Sequence, residues 1–379
     1  MNSKSTEQDK SLRESISAMA ALHASKAALP SHLPLDAKWE GLLVSEPKKL
    51  FKDDGSIKFD ALENFRRLQV FVSDLAPVTD FCGYDAGKWS GALAANPLKA
   101  VLDLARELVT GKKRGDRRLM REIVAMLEQE GAAGLLGKYP VKGTPGAPYC
   151  YSYKGWSFNL RWVRHIYFNN LLNKTLGAEI DSRSRFVNAD IGCSYGTFCY
   201  MFKSEHPNTT QVLVDFPEQL ILARYFLGSL FPDARFATLQ DFVDRDSLDR
   251  DFLEQFDFVL VPVSLCHMLT GGSVDMVTNF FSFGEMRREW FMDYLESDFF
   301  KGAEFLFICN RFESSPRYEP TYDTDLTILD YPLADFEKLF FGVLPVDPYH
   351  VEQRYRVLYE TVPCSSQYFD FIGRRKNGD

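Results

Sequence analysis

The chain has 379 residues, 45% of them apolar and 14% aromatic, and a formal net charge of -8. That length and apolar content can bury a sizeable core, which excludes a disordered chain. The acidic balance, with no dense Lys/Arg stripe, argues against a surface built to neutralise nucleic-acid phosphates, so no nucleic-acid partner is expected.

The N-terminus is polar and then alanine-rich, without the apolar segment of a secretory signal, and no run reaches the length of a membrane span. Seven cysteines (Cys82, Cys150, Cys193, Cys199, Cys266, Cys309 and Cys364) are scattered and odd in number, mostly within apolar runs, as reduced thiols are. A cytoplasmic protein without a membrane span is expected.

In chain order, the patterns predict helices over residues 11–28, ended by Pro30 and Pro34, then over 59–75, 97–108 and 117–130. The basic stretch "GKKRGDRRLMRE" (111–122) reads as a solvated loop and helix start. A loop rich in glycine and proline, 135–156, closes this helical region and divides the chain into units 1–150 and 151–379. The first unit is expected to serve as a lid, an acceptor-binding surface or a homodimer surface. An aromatic amphipathic helix closed by Gly177 is predicted over 157–177.

From Phe186 short apolar runs alternate with helical stretches, the rhythm of a parallel sheet wound with helices. The runs are 186–190, 211–215, 235–238, 256–261, 274–279 and 304–309. At the end, "YRVLYETV" and "QYFDFIG", with "PCSS" between them, read as an antiparallel hairpin.

In "DIGCSYG" the strand ends at Asp190, and Gly192 and Gly196 flank a bend that opens a helix near Thr197. Glycine lets backbone approach a ligand closely, and a helix N-terminus offers unpaired amides. A dinucleotide site wants G-x-G-x-x-G, but Ser194 stands where the second glycine should be. An acid directly before the bend suits a ligand with an ammonium end, as S-adenosylmethionine has. Asp215, ending the next strand, is placed to accept ribose hydroxyls from either cofactor. The competing reading is that both acids cap helices.

These residues, with "VLVDFPEQLILARYFLGSLFP", "SVDMVTNFFSFGEM" and "FNLRWVRHIYFNNLL", resemble the sugar O-methyltransferase family, a class I S-adenosylmethionine-dependent group, over about 136–376. The resemblance implies an α/β, Rossmann-like class I methyltransferase sheet, mostly parallel with an antiparallel C-terminal hairpin, preceded by helices. It implies S-adenosyl-L-methionine as cofactor and a sugar or glycan hydroxyl as acceptor. Asp190, Gly192 and Gly196 would form the methionine-end loop and Asp215 would hold the ribose; Asn279, Ser282 and Glu285 would sit at the fourth-strand end beside the methyl. The family more often has Glu and further glycines where this chain has Asp190 and "CSY".

With Ser194 in the bend, the expected cofactor contacts are therefore Asp190, Gly192, Ser194, Gly196, Asp215 and Asn279. Removal of the hydroxyl proton invites a base, for which Glu285 and His267 are the candidates; packing or capping competes for both. Ser282, Arg161, Asn310 and Arg311 are the candidates for the acceptor. Arg161 and His165 lie one helical turn apart, where plain packing competes, and Arg311 has a surface ion pair with Glu313 as its alternative. No metal site is expected: Asp323 and Asp325 are the weaker option, and Cys193 as a nucleophile is weaker still. Both "FDFVLVPVS" and "VDMVTNFFS" can be the fourth core strand, and the second is preferred because a helix and then "KGAEFLFIC" follow it. The rival functions are a nucleotide-cofactor oxidoreductase and a catalytically silent binding partner.

Overall fold

The computed structural model describes residues 3–26, 45–70, 112–148, 150–242, 244–314, 326–346, 349–355, 358–364 and 367–376. Helix α1 (Ser3–Lys26) is followed by the short helices Pro47–Leu50 and Phe59–Glu63, then α2 (Lys112–Gln129) and the short helix Ala133–Lys138. Strands β1 (Tyr151–Tyr153) and β2 (Trp156–Phe158) form a small hairpin that leads into α3 (Leu160–Ser182). The winding then begins: β3 (Phe186–Ile191), α4 (Thr197–Glu205), β4 (Thr209–Asp215), α5 (Pro217–Leu230), β5 (Phe236–Ala237), β6 (Phe258–Pro262), β7 (Met276–Phe280), α6 (Arg288–Glu296) and β8 (Phe305–Arg311). Strands β9 (Phe336–Val343), β10 (Tyr349–Tyr355), β11 (Leu358–Cys364) and β12 (Tyr368–Arg375) complete the chain.

Eight strands make one sheet in the order β5-β6-β4-β3-β7-β8-β12-β9, and all pairs are parallel except those of β12, which runs against both β8 and β9. The central strands are buried along their whole length because helices cover both faces, and each of β3, β6 and β7 is buried at every position. Two apolar layers result, one around α3, α4 and α5 and the other around α6 and the turn after β6. Ile16, Leu62, Phe65 and Ile123 belong to the first layer, so the described N-terminal residues share a core with the sheet.

The fourth core strand is β7, which pairs with β3, whereas β6 pairs with β4. Four other expectations are corrected. The terminal strands do not pair with each other: β11 forms a hairpin with β10, and β12 inserts between β8 and β9. Gly177 lies inside α3, which continues to Ser182, where Asn208 Nδ2 donates to the carbonyls of Ile180 and Arg183 and satisfies the open end. The helix predicted over 59–75 stops at Glu63 and turns follow to Gln69, whereas 71–75 lie outside the described residues. The stretch 135–156 is not all loop, since it holds the end of a helix and β1. The basic stretch lies mainly in α2, whereas the helix predicted over 97–108 falls outside the described residues.

Helix α1 packs on α5 and on the short helix Leu239–Phe242 that follows β5. It lies along α5, where Arg224 Nε donates to Ser15 Oγ at 3.2 Å. Phe65 and Arg66 meet Tyr195 in the bend after β3.

Candidate functional site

In an open parallel sheet, ligands bind beyond the carboxyl ends of the strands where the strand order reverses. Here that point is β3, with β4 on one side and β7 on the other. The bend 192–196 leaves β3 at this point.

The bend is held from both sides. Asp215, at the end of β4, accepts the Ser194 amide on Oδ2 at 2.7 Å and the Phe216 amide on Oδ1 at 2.7 Å. Ser194 thereby sits in the left-handed region at φ 53, between Gly192 at φ 70 and Gly196 at φ 82. Asp215 is half-buried, and burial pushes its carboxyl up to about 7. On the β7 side a Cβ at Gly192 would lie 2.1 Å from Ser282 Oγ, so only glycine lets the two turns approach. At Gly196 a Cβ would meet the ends of Leu227 and Leu213, the close packing of α5 and β4 against the start of α4.

Asn279 and Asn310, buried on β7 and β8, join the loops into one hydrogen-bonded clasp. Asn279 Nδ2 donates to the Ile191 carbonyl at 2.8 Å and to Ser282 Oγ at 2.6 Å; its Oδ1 accepts the Phe283 amide at 3.0 Å and Asn310 Nδ2 at 2.9 Å. Asn310 Oδ1 accepts the Gly284 amide at 3.2 Å. Both side chains thus bond the turns that follow β3 and β7.

Asp190 is also turned inward. Thr278 Oγ1 donates to Oδ1 at 2.9 Å, the Cys199 thiol donates to Oδ2 at 3.5 Å, and burial pushes the carboxyl up to about 7. The expected ammonium contact is therefore not displayed: the side chain lies between the sheet and α4 because pleating aims it there, and the bend itself begins two residues later. Cys193 is buried and its thiol is pushed up by burial beside Asp215 and Asp190, which opposes thiolate formation.

Two hydroxyls in the bend, Ser194 Oγ and Thr197 Oγ1, are buried and have no partner among the described residues. With the exposed part of Asp215 and the start of the nine-residue helix α4, they form a set of donors and acceptors that fits a ribose and a charged amino-acid end.

Beyond the bend, Arg161 on the first turn of α3 holds its guanidinium carbon 5.4 Å from the centroid of Tyr195, a ring also flanked by Phe65 at 5.2 Å and by Arg66 at 5.2 Å. Arg164 stands 4.7 Å over Phe281. His165 is buried, and burial together with Arg161 and Arg164 lowers it well below its usual value, so it is neutral at pH 7. Glu285 lies half-buried in the turn after β7, its amide bonded to the Ser282 carbonyl. Arg311 ends β8, and its Nε donates to the Tyr368 hydroxyl at 3.3 Å.

His267 is exposed on the turn after β6. Three strand spacings separate β6 from β7, about 14 Å of sheet, so His267 and Glu285 are not brought together. Asp323 and Asp325 lie outside the described residues. No helix among the described residues is long and apolar enough to cross a membrane.

Sequence reasoning missed Thr278, Tyr195, Phe281 and Asp370. Phe281 has φ 68, a left-handed conformation that costs an aromatic residue about 1–3 kcal/mol and marks the end of β7. Asp370 lies fully buried on β12, where the Tyr167 hydroxyl donates to it at 3.1 Å and burial pushes it up to about 7. Its unfolded value is about 3.9, so the folded state holds the proton more tightly and this group's contribution to stability falls as pH rises from about 4 to about 7. Asp370→Asn should therefore raise the melting temperature at pH 8 and leave it nearly unchanged near pH 4; equal shifts at both would contradict the placement.

No protein-family model and no curated protein matches the chain. Among solved structures it is similar to geranyl diphosphate C-methyltransferase from Streptomyces coelicolor A3(2), in complex with Mg2+, geranyl-S-thiolodiphosphate and S-adenosyl-L-homocysteine, at 12% identity over 55% of this chain and 76% of that one, with a TM-score of 0.35. It is also similar to an O-methyltransferase family protein from Burkholderia thailandensis (13% identity, 69% of this chain and 72% of that one, TM-score 0.30). A precorrin 8w decarboxylase from Methanobacterium thermoautotrophicum gives 12% identity over 55% of this chain and 90% of that one, with a TM-score of 0.27. Identity and scores are low, and the fold assignment rests on the strand order. Counted from β3, that order is 3-2-1-4-5, then the reversed β12, then β9, with the two-residue β5 added at the far edge. It is the α/β class I methyltransferase sheet, distinguished from the dinucleotide order by the reversed strand.

Proposed function

We propose that the protein is an S-adenosylmethionine-dependent methyltransferase that acts on a sugar hydroxyl. The observation that carries the cofactor half is the clamp of Ser194 by Asp215 at 2.7 Å, at the point where the sheet order reverses. Ser194 Oγ, Thr197 Oγ1 and the amides opening α4 would hold the amino-acid end of the cofactor, and Asp215 its ribose. When bound, the cofactor supplies the electrophilic methyl group. The chain's part is to align the acceptor oxygen, exclude water and take up the proton, and alignment alone is worth several kcal/mol in such displacements. Of the two groups considered for the proton, Glu285 shares its turn with Ser282 and keeps the assignment; His267, three strands away, leaves it. The sugar half rests on the family resemblance.

A dinucleotide oxidoreductase is opposed by the reversed β12 and by Ser194 in place of the middle glycine. A silent binding partner is favoured by one observation, the inward-turned Asp190, and predicts binding without turnover. The test is incubation with S-adenosylmethionine and a panel of sugars, with S-adenosylhomocysteine and methylated sugar followed by mass spectrometry. Asp215→Ala loses both the bend clamp and the ribose acceptor, and turnover at low cofactor concentration should drop about a hundredfold, as expected for losing charge-assisted hydrogen bonds. Undiminished turnover in Asp215→Ala would remove the proposed cofactor geometry; binding without methylation of any acceptor would favour the silent partner.

A further inference from the structure

Four side chains form a row along the carboxyl edge on the β7, β8 and β12 side: Arg164, Phe281, Tyr368 and Arg311. The Arg164 guanidinium carbon is 4.7 Å from the Phe281 centroid, Phe281 meets Tyr368 edge-to-face at 4.8 Å and 84°, and the Arg311 guanidinium carbon is 5.8 Å from the Tyr368 centroid. All four are half-buried, so each keeps some surface in solvent. They come from α3, the turn after β7 and the ends of two antiparallel strands, and Phe281 takes a strained left-handed backbone in this row. Arg164 and Arg311 stand on the β7 and β8 side of the site, Asp215 ends β4 on the other, and Arg161 and Arg66 flank Tyr195 in the bend.

We propose that this row is the acceptor subsite and that the acceptor is an anionic sugar, one carrying a phosphate or a carboxylate. The inference rests on the methyltransferase reading above. The polarised C–H face of a pyranose packs on the electron-rich face of an aromatic ring, and a planar guanidinium takes phosphate or carboxylate in a two-pronged hydrogen bond. The edge-to-face setting of Phe281 and Tyr368 offers no parallel slot for a flat aromatic ring, which favours a sugar over an aromatic acid.

The experiment is calorimetric titration of the full-length protein with glucose 6-phosphate, galacturonate, methyl glucoside and 4-hydroxybenzoate, each with and without saturating S-adenosylhomocysteine. One of the charged sugars should bind at least about tenfold more tightly than methyl glucoside, and which one binds tells phosphate from carboxylate. Arg164→Gln and Arg311→Gln should each weaken that sugar by about tenfold or more while S-adenosylhomocysteine affinity, the control for folding, stays unchanged. Tyr368→Leu should weaken the sugar in the same way. Equal binding of methyl glucoside, unchanged affinity in both arginine variants, tighter binding of 4-hydroxybenzoate, or binding of none of these would overturn the proposal. Failure of S-adenosylhomocysteine to bind the unaltered protein would instead overturn the methyltransferase reading, and the titrations without it would still decide whether the row takes anionic sugars.

Discussion

Asn279→Ala is expected to destabilise the protein by about 3–5 kcal/mol, the upper range for a single buried polar deletion. The size follows from what the amide leaves behind. The Phe283 amide loses its partner at 3.0 Å, while the Ile191 carbonyl and Asn310 Nδ2 lose theirs at 2.8 and 2.9 Å and keep only longer bonds, to Ser282 Oγ at 3.3 Å and to the Asn279 carbonyl at 3.5 Å. Each unpaired buried group costs about 1–3 kcal/mol, and local relaxation or water recovers part of the sum. Asn310→Ala should cost less, because it frees the Gly284 amide and a single acceptor on Asn279. The double variant should cost less than the two together, since they share a bond. Urea unfolding of the three variants measures this; a cost below about 1 kcal/mol for Asn279→Ala would mean that the clasp does not hold the turns.

Gly192→Ala carries the second large effect, on binding as well as stability. Its Cβ would enter at 2.1 Å from Ser282 Oγ and 2.6 Å from Ser282 Cβ, and its φ of 70 is unfavourable for any side chain. The conformational cost and the collision together come to about 2–4 kcal/mol. Because relief requires the turn after β7 to move away from the bend, affinity for S-adenosylhomocysteine should fall by more than about tenfold. Ser282→Gly in the same chain removes both colliding atoms and should restore part of the stability but not the part due to φ. Gly196→Ala makes a useful contrast, since its nearest contacts at 2.9 and 3.1 Å are methyl groups that can turn aside. If Ser282→Gly gave no rescue, the close approach of the two turns would be contradicted.

Much of the sheet was legible in the sequence because parallel strands covered on both faces are rich in apolar residues, and β3, β4, β6, β7 and β8 each carry a short apolar run. The bend was legible for a different reason. Gly192 and Gly196 are both needed at positive φ, and few other positions between a strand and a helix require that. Pairing in the tail was not legible, because a short turn says which strands are neighbours in the chain and nothing about the gap that β12 fills between β8 and β9. Gly177 misled for a local reason: a glycine can stay inside a helix when tertiary contacts hold it, and Asn208, from beyond β3, ends α3 instead.

Within the site, type and spacing led to Asn279, Ser282 and Asn310 at the ends of β7 and β8, and the bonds that the two amides make to the turns were not legible from them. Whether an amide faces a ligand or a neighbouring strand depends on register across β3, β7 and β8, which is a long-range property. The same holds for Asp190, whose partner Thr278 stands opposite it on β7. His267 was drawn in because it follows a strand at the carboxyl edge, and strand order alone shows that this strand, β6, lies beyond β4 and not beside β3.

Every role proposed for the bend at 192–196 depends on the identity of the cofactor, so the most direct measurement is calorimetric titration of the unaltered protein with S-adenosylmethionine, S-adenosylhomocysteine and the nicotinamide dinucleotides. Binding of the two sulfur compounds at micromolar concentration, with none of the dinucleotides, is the predicted result. Binding of a dinucleotide in their place would contradict the reading of the bend at 192–196 and of the clamp by Asp215.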